Sequence, residues 1–492
     1  MAPVPTAPDD PGDDSAGLSV GDASRRIAAG QLSPLDLLDA CFARIDAVDG
    51  VIRSYLRMDR DAARRAARAA SERAAQNRRL GPLDGIPFAV KDNIYTSGMD
   101  TTGGSRVPQR HDPAMQANLV ARLTAAGAVL IGKLNTWEYG TGNASVSFDL
   151  PHPPARNPWN PAHFTGGSST GAGAAVAAGT ALFAIGTDTG GSVRLPAAAC
   201  GLVGLKPTFG RITRHGIMPN CWSFDTPGPL TLTVEDAALV YDALAGFDPE
   251  DPVSLRSPVD PASPQINASV AGLRVGYVTN LEAQGIAPTR PILQALARAA
   301  EALAALGVEV IEVALPVAPS EYRQISAPIN RSESFSIHEY DYMQHRDKMG
   351  AALRSKLETG MYMRAADYLA ALRQRGELVR RTDALFDGFD ALLLPMTYIT
   401  APPITDDAAV RSFTTGSAGS AFSLTGHPAI ALPAGFGPDG LPVSVQLAAG
   451  FRQEATLLRI AHSLERHLNP HAVRATPARI LGMASKEGMT DV

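Results

Sequence analysis

Residues 165–194 read TGGSSTGAGAAVAAGTALFAIGTDTGGSVR. The stretch holds two Gly-Gly-Ser triplets, Gly166-Gly167-Ser168 and Gly190-Gly191-Ser192, and between them an apolar helical pattern over 172–179 followed by a short apolar run over 182–185. A helix closed by a glycine and followed by a buried strand is the repeating unit of an α/β sheet. Successive glycines let backbone N–H groups converge on one point, as holding an anion or a developing oxyanion requires. A serine at the end of such a loop is placed to attack while the loop stabilises the product.

The same alternation extends outward on both sides. Upstream, 61–79 reads as a solvated helix with a left-handed cap at Gly81, 86–90 as a buried strand, 116–126 as a helix stopped by Gly127, and 128–131 as a strand. Downstream, 272–278 and 308–313 read as strands flanking a helix over 291–306, 322–386 as mostly helical, and 429–432 and 443–447 as strands. Strands on both sides of the middle imply one sheet fed from the whole chain. The expected fold is a single large α/β domain over 18–475, with a central mixed sheet covered by helices on both faces. A helical substrate cap is expected over about 318–388, a Pro- and Asp-rich tail over 1–17, and a C-terminal tail over 476–492.

Composition excludes several functions. The 492 residues carry a formal net charge of −5 with 45% hydrophobic and 19% charged residues, which is globular and offers no basic field for a nucleic-acid backbone. No apolar run approaches the roughly 20 residues that span a bilayer, and the first 17 residues lack the pattern of a signal peptide. Cys41, Cys200 and Cys221 are too few and too scattered for a disulfide framework or a Cys/His metal site. A cytoplasmic monomer or homodimer is expected, with a small-molecule substrate and neither nucleic acid nor membrane as partner.

Serine needs a base. His111, His152 and His163 lie in loop sequence without a supporting pattern, whereas Lys91 ends the apolar run GIPFAVK. Burial there would disfavour its ammonium. Lowering a lysine from about 10.4 to about 7 or 8 costs about 3.5 to 4.5 kcal/mol, which the fold must supply.

The runs GPLDGIPFAVKDNI (81–94), RNPWN (156–160), GGSSTGAGAAVAAG (166–179), GTDTGGSVRLPAAACGLVGLKPTFGRI (186–212) and SLTGHPAIALPAGFGPDGLPVSVQL (423–447) resemble the amidase signature family, in order and in register. The resemblance covers roughly 31–468. It implies Ser192 as nucleophile and Ser168 as a relay after a cis Gly167–Ser168 bond. Lys91 is then the base, with Ser168 Oγ in reach of both Lys91 Nζ and Ser192 Oγ, and the N–H groups of Thr189, Gly190, Gly191 and Ser192 form the oxyanion hole. Amide-type C–N bonds, and also esters or carbamates, would be cleaved through an acyl-Ser192. Gly167, Ser169, Asp188 and Arg194 are read as structural support. Thr170 stands where the family usually has glycine.

Rival readings are an A subunit of a tRNA-dependent amidotransferase, which shares the triad but whose usual sequence KLNTWEYG (133–140) does not resemble, and a catalytically dead binding protein. A third is an α/β-hydrolase esterase, since 167–171 also satisfies G-x-S-x-G with Ser169 as nucleophile; the strand needed before that elbow is missing from the proline-rich run ahead of it. His338 and Glu339 open like a zinc motif, but His345 is not at the required spacing, and Gly171 and Gly173 begin a dinucleotide fingerprint that fails at Val176. No cofactor or metal is implied. Tyr340, Tyr342, Met343, Met361, Tyr362 and Met363 read equally as pocket lining or as helix packing.

Overall fold

The computed structural model describes residues 15–142, 144–282, 285–468 and 474–488. Eleven strands form one sheet: β1 Tyr55–Met58, β2 Pro87–Lys91, β3 Val129–Leu134, β4 Phe183–Asp188, β5 Val203–Lys206, β6 Thr226–Thr231, β7 Arg274–Val278, β8 Glu309–Val313, β9 Ala391–Pro395, β10 Ala429–Phe436 and β11 Pro442–Ala448. Their spatial order is β1-β3-β2-β4-β6-β5-β10-β11-β9-β7-β8. Pairings are parallel at β2/β3, β2/β4, β7/β8 and β7/β9 and antiparallel elsewhere, so the sheet is mixed. As expected, helices cover both of its faces.

The helices are α1 Val20–Ala28, α2 Pro34–Ile52, α3 Arg60–Ala75, α4 Asn118–Ala125, α5 Thr170–Ala177, α6 Arg194–Cys200, α7 Val234–Leu244, α8 Arg290–Ala305, α9 Pro319–His345, α10 Ala351–Met361, α11 Ala365–Asp383, α12 Asp407–Thr415, α13 Gly419–Thr425, α14 Glu454–Leu468 and α15 Pro477–Lys486. One apolar core gathers β2 to β4 with α2, α4, α5 and α6. A second gathers β9 to β11 with α8 and α14. The strands of the middle region, β7 and β8, continue the common sheet, which leaves α9 to α11 as the helical layer laid over it.

Three local expectations change. The helix expected over 61–79 ends at Ala75, and Asn77, not Gly81, takes the left-handed turn (φ 52°); asparagine tolerates that region because its short polar side chain bonds locally. Residues 476–492 are not all tail. Thr476 caps α15, with its hydroxyl accepting from Arg479 N, and Ile480 and Ala484 are buried where α15 packs on α2. At the other end, Ser15–Gly17 forms a 3₁₀ turn with Ser15 and Ala16 buried, so the tail expected over 1–17 ends before it; residues 1–14 lie outside the described residues. No described helix is long and apolar enough to cross a membrane.

Candidate active site

Strand polarity sets the site. Because β2 and β4 run parallel with Val90 opposite Ile185, Lys91 and the segment Thr187–Asp188 emerge at the same sheet edge, where ligand sites of α/β sheets form. β6 runs antiparallel to β4, with Asp188 opposite Thr226, which brings Asp225 to that edge as well. The two glycine-serine loops then open onto a cleft of about 800 Å³ including its mouth, lined by Ser168, Thr189, Gly190 and Ser192, a size suited to a small molecule.

Lys91 is fully buried, and its Nζ donates to Ser168 Oγ at 2.7 Å and to Thr187 Oγ1 at 2.9 Å. Burial drives its ammonium down to about 7, against the opposing pull of Asp225 and Asp188. The peptide bond between Gly167 and Ser168 is cis. Ser168 Oγ donates to the Gly140 carbonyl at 2.6 Å, so the first link of the expected relay is present and the second is not. Among the described residues, Ser192 Oγ has no hydrogen-bond partner. Ser192 is half-buried and faces the cleft.

The loop after β4 is held from behind. Asp188 and Arg194, both with no exposed surface, form a two-point ion pair through Nε at 3.0 Å and Nη2 at 2.9 Å. Arg194 also reaches Gln446 Oε1 (2.7 Å), the Gly419 carbonyl (2.8 Å) and Ser423 Oγ (2.8 Å). Burial works against the Asp188 carboxylate, but the charge and hydrogen bonds of Arg194, with Lys206 and the Gly191 N–H, hold it down to about 2. That arrangement changes the oxyanion set. Gly191 N–H donates to Asp188 Oδ1 at 2.8 Å and is turned away from the cleft, whereas the N–H groups of Thr189, Gly190 and Ser192 have no partner among the described residues. Gly191 keeps its place because its φ of 114° excludes a side chain, and Gly166 likewise, with φ 72° and an added Cβ only 2.6 Å from Leu195 O. Gly167 packs on Trp137, where a Cβ would lie 2.5 Å from the indole ring.

Ser169 occupies none of this. It is fully buried at the start of α5, its Oγ 3.4 Å from both the N–H and the carbonyl of Thr187, and no histidine lines the cleft among the described residues. The G-x-S-x-G reading therefore has neither an accessible nucleophile nor a base. Thr170 opens α5, 4% exposed, with its hydroxyl unpartnered. Among the described residues no group of three or more His, Cys, Asp or Glu could hold a metal ion.

The cap contributes side chains that sequence reasoning passed over. Arg323, Ser326, Ala327, Asn330 and Arg331 of α9, with Lys356 of α10, line the cleft beside Asn220 and Phe224. The α9 positions follow i, i+3, i+4, i+7, i+8, one face of a helix, which is the signal that would have found them. Tyr340, Met343, Met361 and Tyr362 instead are 42% or more exposed, and none of the six aromatic and methionine candidates lines the cleft.

Comparison with known proteins places the chain in a family. The A subunit of the glutamyl-tRNA(Gln) amidotransferase from Chloroflexus aurantiacus is 36% identical over 93% of this chain and 98% of its own length. A chain solved in work on a vestigial protein complex that reveals the evolutionary origins of an s-triazine catabolic enzyme is 34% identical, with TM-score 0.84 over 93% of this chain and all of that one. The native peptide amidase of Stenotrophomonas maltophilia is 31% identical, with TM-score 0.80 over 92% of this chain and 98% of that one. The family model described as Amidase matches residues 36–458, and the chain belongs to that family, the amidase signature enzymes.

Proposed function

We propose that the chain hydrolyses the C–N bond of small-molecule amides, and of related esters or carbamates, through a covalent acyl-Ser192. The observation that carries the reading is the contact of a fully buried Lys91 with Ser168 at the floor of a cleft that also holds Ser192 and unpartnered N–H groups. Near pH 7 about half of Lys91 is neutral, given a lysine driven to about 7. Ser192 and Ser168 line the same cleft, and the relay requires the Ser192 hydroxyl to donate to Ser168 Oγ. Ser192 then passes its proton to Ser168 as Ser168 passes its own to Lys91, and Ser192 Oγ bonds to the carbonyl carbon. The N–H groups of Thr189, Gly190 and Ser192 receive the oxyanion. The same protons return to the leaving nitrogen, the C–N bond breaks, and water repeats the sequence on the ester. Asp188 and Arg194 act through the loop they hold.

A second reading is favoured by the curated relatives. The proteins from Chloroflexus aurantiacus and Chloroflexus aggregans, both 36% identical and matched over 98% and 99% of their length, carry the name of an amidotransferase, in which the ammonia released from an amide would pass to a second substrate. The chemistry at Ser192 is the same in both readings. What distinguishes them is the donor and the partner. Glutamine as donor carries both a carboxylate, for which the cleft offers Arg323, Arg331 and Lys356, and an ammonium, for which no carboxylate lines the cleft among the described residues; the unmet ammonium is what favours the hydrolase.

A screen of anilides, aliphatic amides, esters, aryl carbamates and glutamine tests this. Turnover of a simple amide by the isolated chain, abolished in Ser192→Ala, is expected. Glutaminase activity that appears only with tRNA and co-purifying proteins would overturn it in favour of the amidotransferase.

A further inference from the structure

Three cations line the cleft, Arg323 and Arg331 from α9 and Lys356 from α10, and among the described residues no aspartate or glutamate does. They interact with one another. Burial, then the charge of Arg331, pushes Arg323 below its usual value, and burial drives Lys356 down to about 7 against the pull of Cys221 and Asp225, with both arginines adding to the lowering. Lys356 is anchored, donating to Asn220 Oδ1 at 3.0 Å and to Thr141 Oγ1. Neither guanidinium has a hydrogen-bond or ion-pair partner among the described residues.

The nearby acids are already engaged. Asp225 accepts from Thr189 Oγ1 (2.6 Å), Asn220 N (2.7 Å) and Cys221 N (2.8 Å). Glu333 accepts from Ser223 N (2.9 Å), Ser223 Oγ (2.6 Å), Tyr368 (3.0 Å) and Cys221 Sγ (3.0 Å). Neither lines the cleft. Like charges gathered in a partly desolvated site are unfavourable where no carboxylate among the described residues lines the cleft itself, and a bound carboxylate would offset that, since guanidinium groups pair with carboxylates in two-point geometry. The two arginines are eight residues apart on one face of α9, and the short side chains of Ser326 and Ala327 between them leave room for a ligand.

We propose that Arg323, Arg331 and Lys356 form a carboxylate subsite, so that the substrate is an amide bearing a free carboxylate, of the dicarboxylic acid monoamide class. This rests on the Ser192 reading for the bond cleaved, but not for the anion bound. A zwitterionic amide such as glutamine fits less well, because its ammonium would meet three cations.

The test uses succinamate and glutaramate against the neutral butyramide and valeramide. Ammonia release gives kcat/KM, and calorimetry on Ser192→Ala gives binding without turnover. The carboxylated amides are expected to exceed the neutral ones at least tenfold, and Arg323→Gln and Arg331→Gln to lower that ratio at least tenfold, with Arg331→Lys retaining part of it. Thermal melting verifies that each variant folds. A ratio near one in the wild type, or variants that depress both classes equally, would overturn the subsite. If no amide is cleaved and Ser192 resists fluorophosphonates, the hydrolase reading fails instead. In that case glutaramate binding to Ser192→Ala that disappears in the Arg331→Gln double variant still supports the subsite, and binding no tighter than valeramide's overturns it.

Discussion

Inactivation by a fluorophosphonate is expected to report the proton state of Lys91. The reagent is attacked by a serine only as fast as its proton is removed, so the rate follows the neutral fraction of the base. With Lys91 driven to about 7, that fraction is about 0.01 at pH 5 and about 0.9 at pH 8, a rise of about ninetyfold, with unit slope in log rate below pH 7. The sign follows from the cause: burial disfavours the ammonium, and the ammonium cannot accept a proton. Lys91→Ala should be slow and lack this titration. Lys356 lines the same cleft and is also driven to about 7, so the decisive control is Lys356→Met, which should keep the slope that Lys91→Ala loses. The assay is the second-order rate constant for labelling in overlapping buffers of constant ionic strength. A flat wild-type profile, or a slope that survives in Lys91→Ala and vanishes in Lys356→Met, would refute the assignment of the base.

Other outcomes follow from the same geometry. Arg194→Met leaves Asp188 charged with no exposed surface, so the chemical denaturation midpoint should fall by the equivalent of about 3 to 5 kcal/mol; a loss under about 1 kcal/mol would show that the pair does not hold the loop. Gly167→Ala places a Cβ 2.5 Å from the Trp137 ring and should cut labelling about 10²-fold by displacing Ser168, with partial recovery in the Trp137→Ala background; recovery from neither would place the defect elsewhere. In Lys91→Ala the amide-to-ester rate ratio should drop about 10²-fold, because an amine leaving group needs the returned proton and an alkoxide needs it less. Equal losses on matched substrates would make Lys91 structural.

Much of this site was legible in the chain through motifs that resemble the amidase signature family in order and register. Lys91 ends an apolar strand, where a lysine by itself reads as exposed, and its role was legible only because the run resembles a family motif in register with the glycine-rich loops that carry Ser168 and Ser192. What was not legible depends on which groups meet in space. The Gly191 N–H was expected to face the oxyanion, but only the folded loop shows the Asp188 carboxylate taking it. Ser168 was expected to meet Ser192, yet its hydroxyl donates to the Gly140 carbonyl and no hydrogen bond between the two serines is formed. Arg323 and Arg331 read in isolation as solvated helix residues, since arginine is mostly exposed. Only the packing of α9 over the sheet edge brings them to the cleft. The helix α15 escaped for a similar reason: ten residues with two buried side chains give too weak a pattern until α2 supplies the surface they cover.

The central claim is that Ser192 is the nucleophile, and the most direct measurement is peptide mapping by mass spectrometry of the wild-type protein after fluorophosphonate inactivation. The account predicts a single adduct on Ser192, absent in Ser192→Ala and retained at full stoichiometry in Ser169→Ala, whose hydroxyl is buried against Thr187. An adduct on Ser168 or Ser169 in the wild type, or stoichiometric labelling that persists in Ser192→Ala, would contradict it.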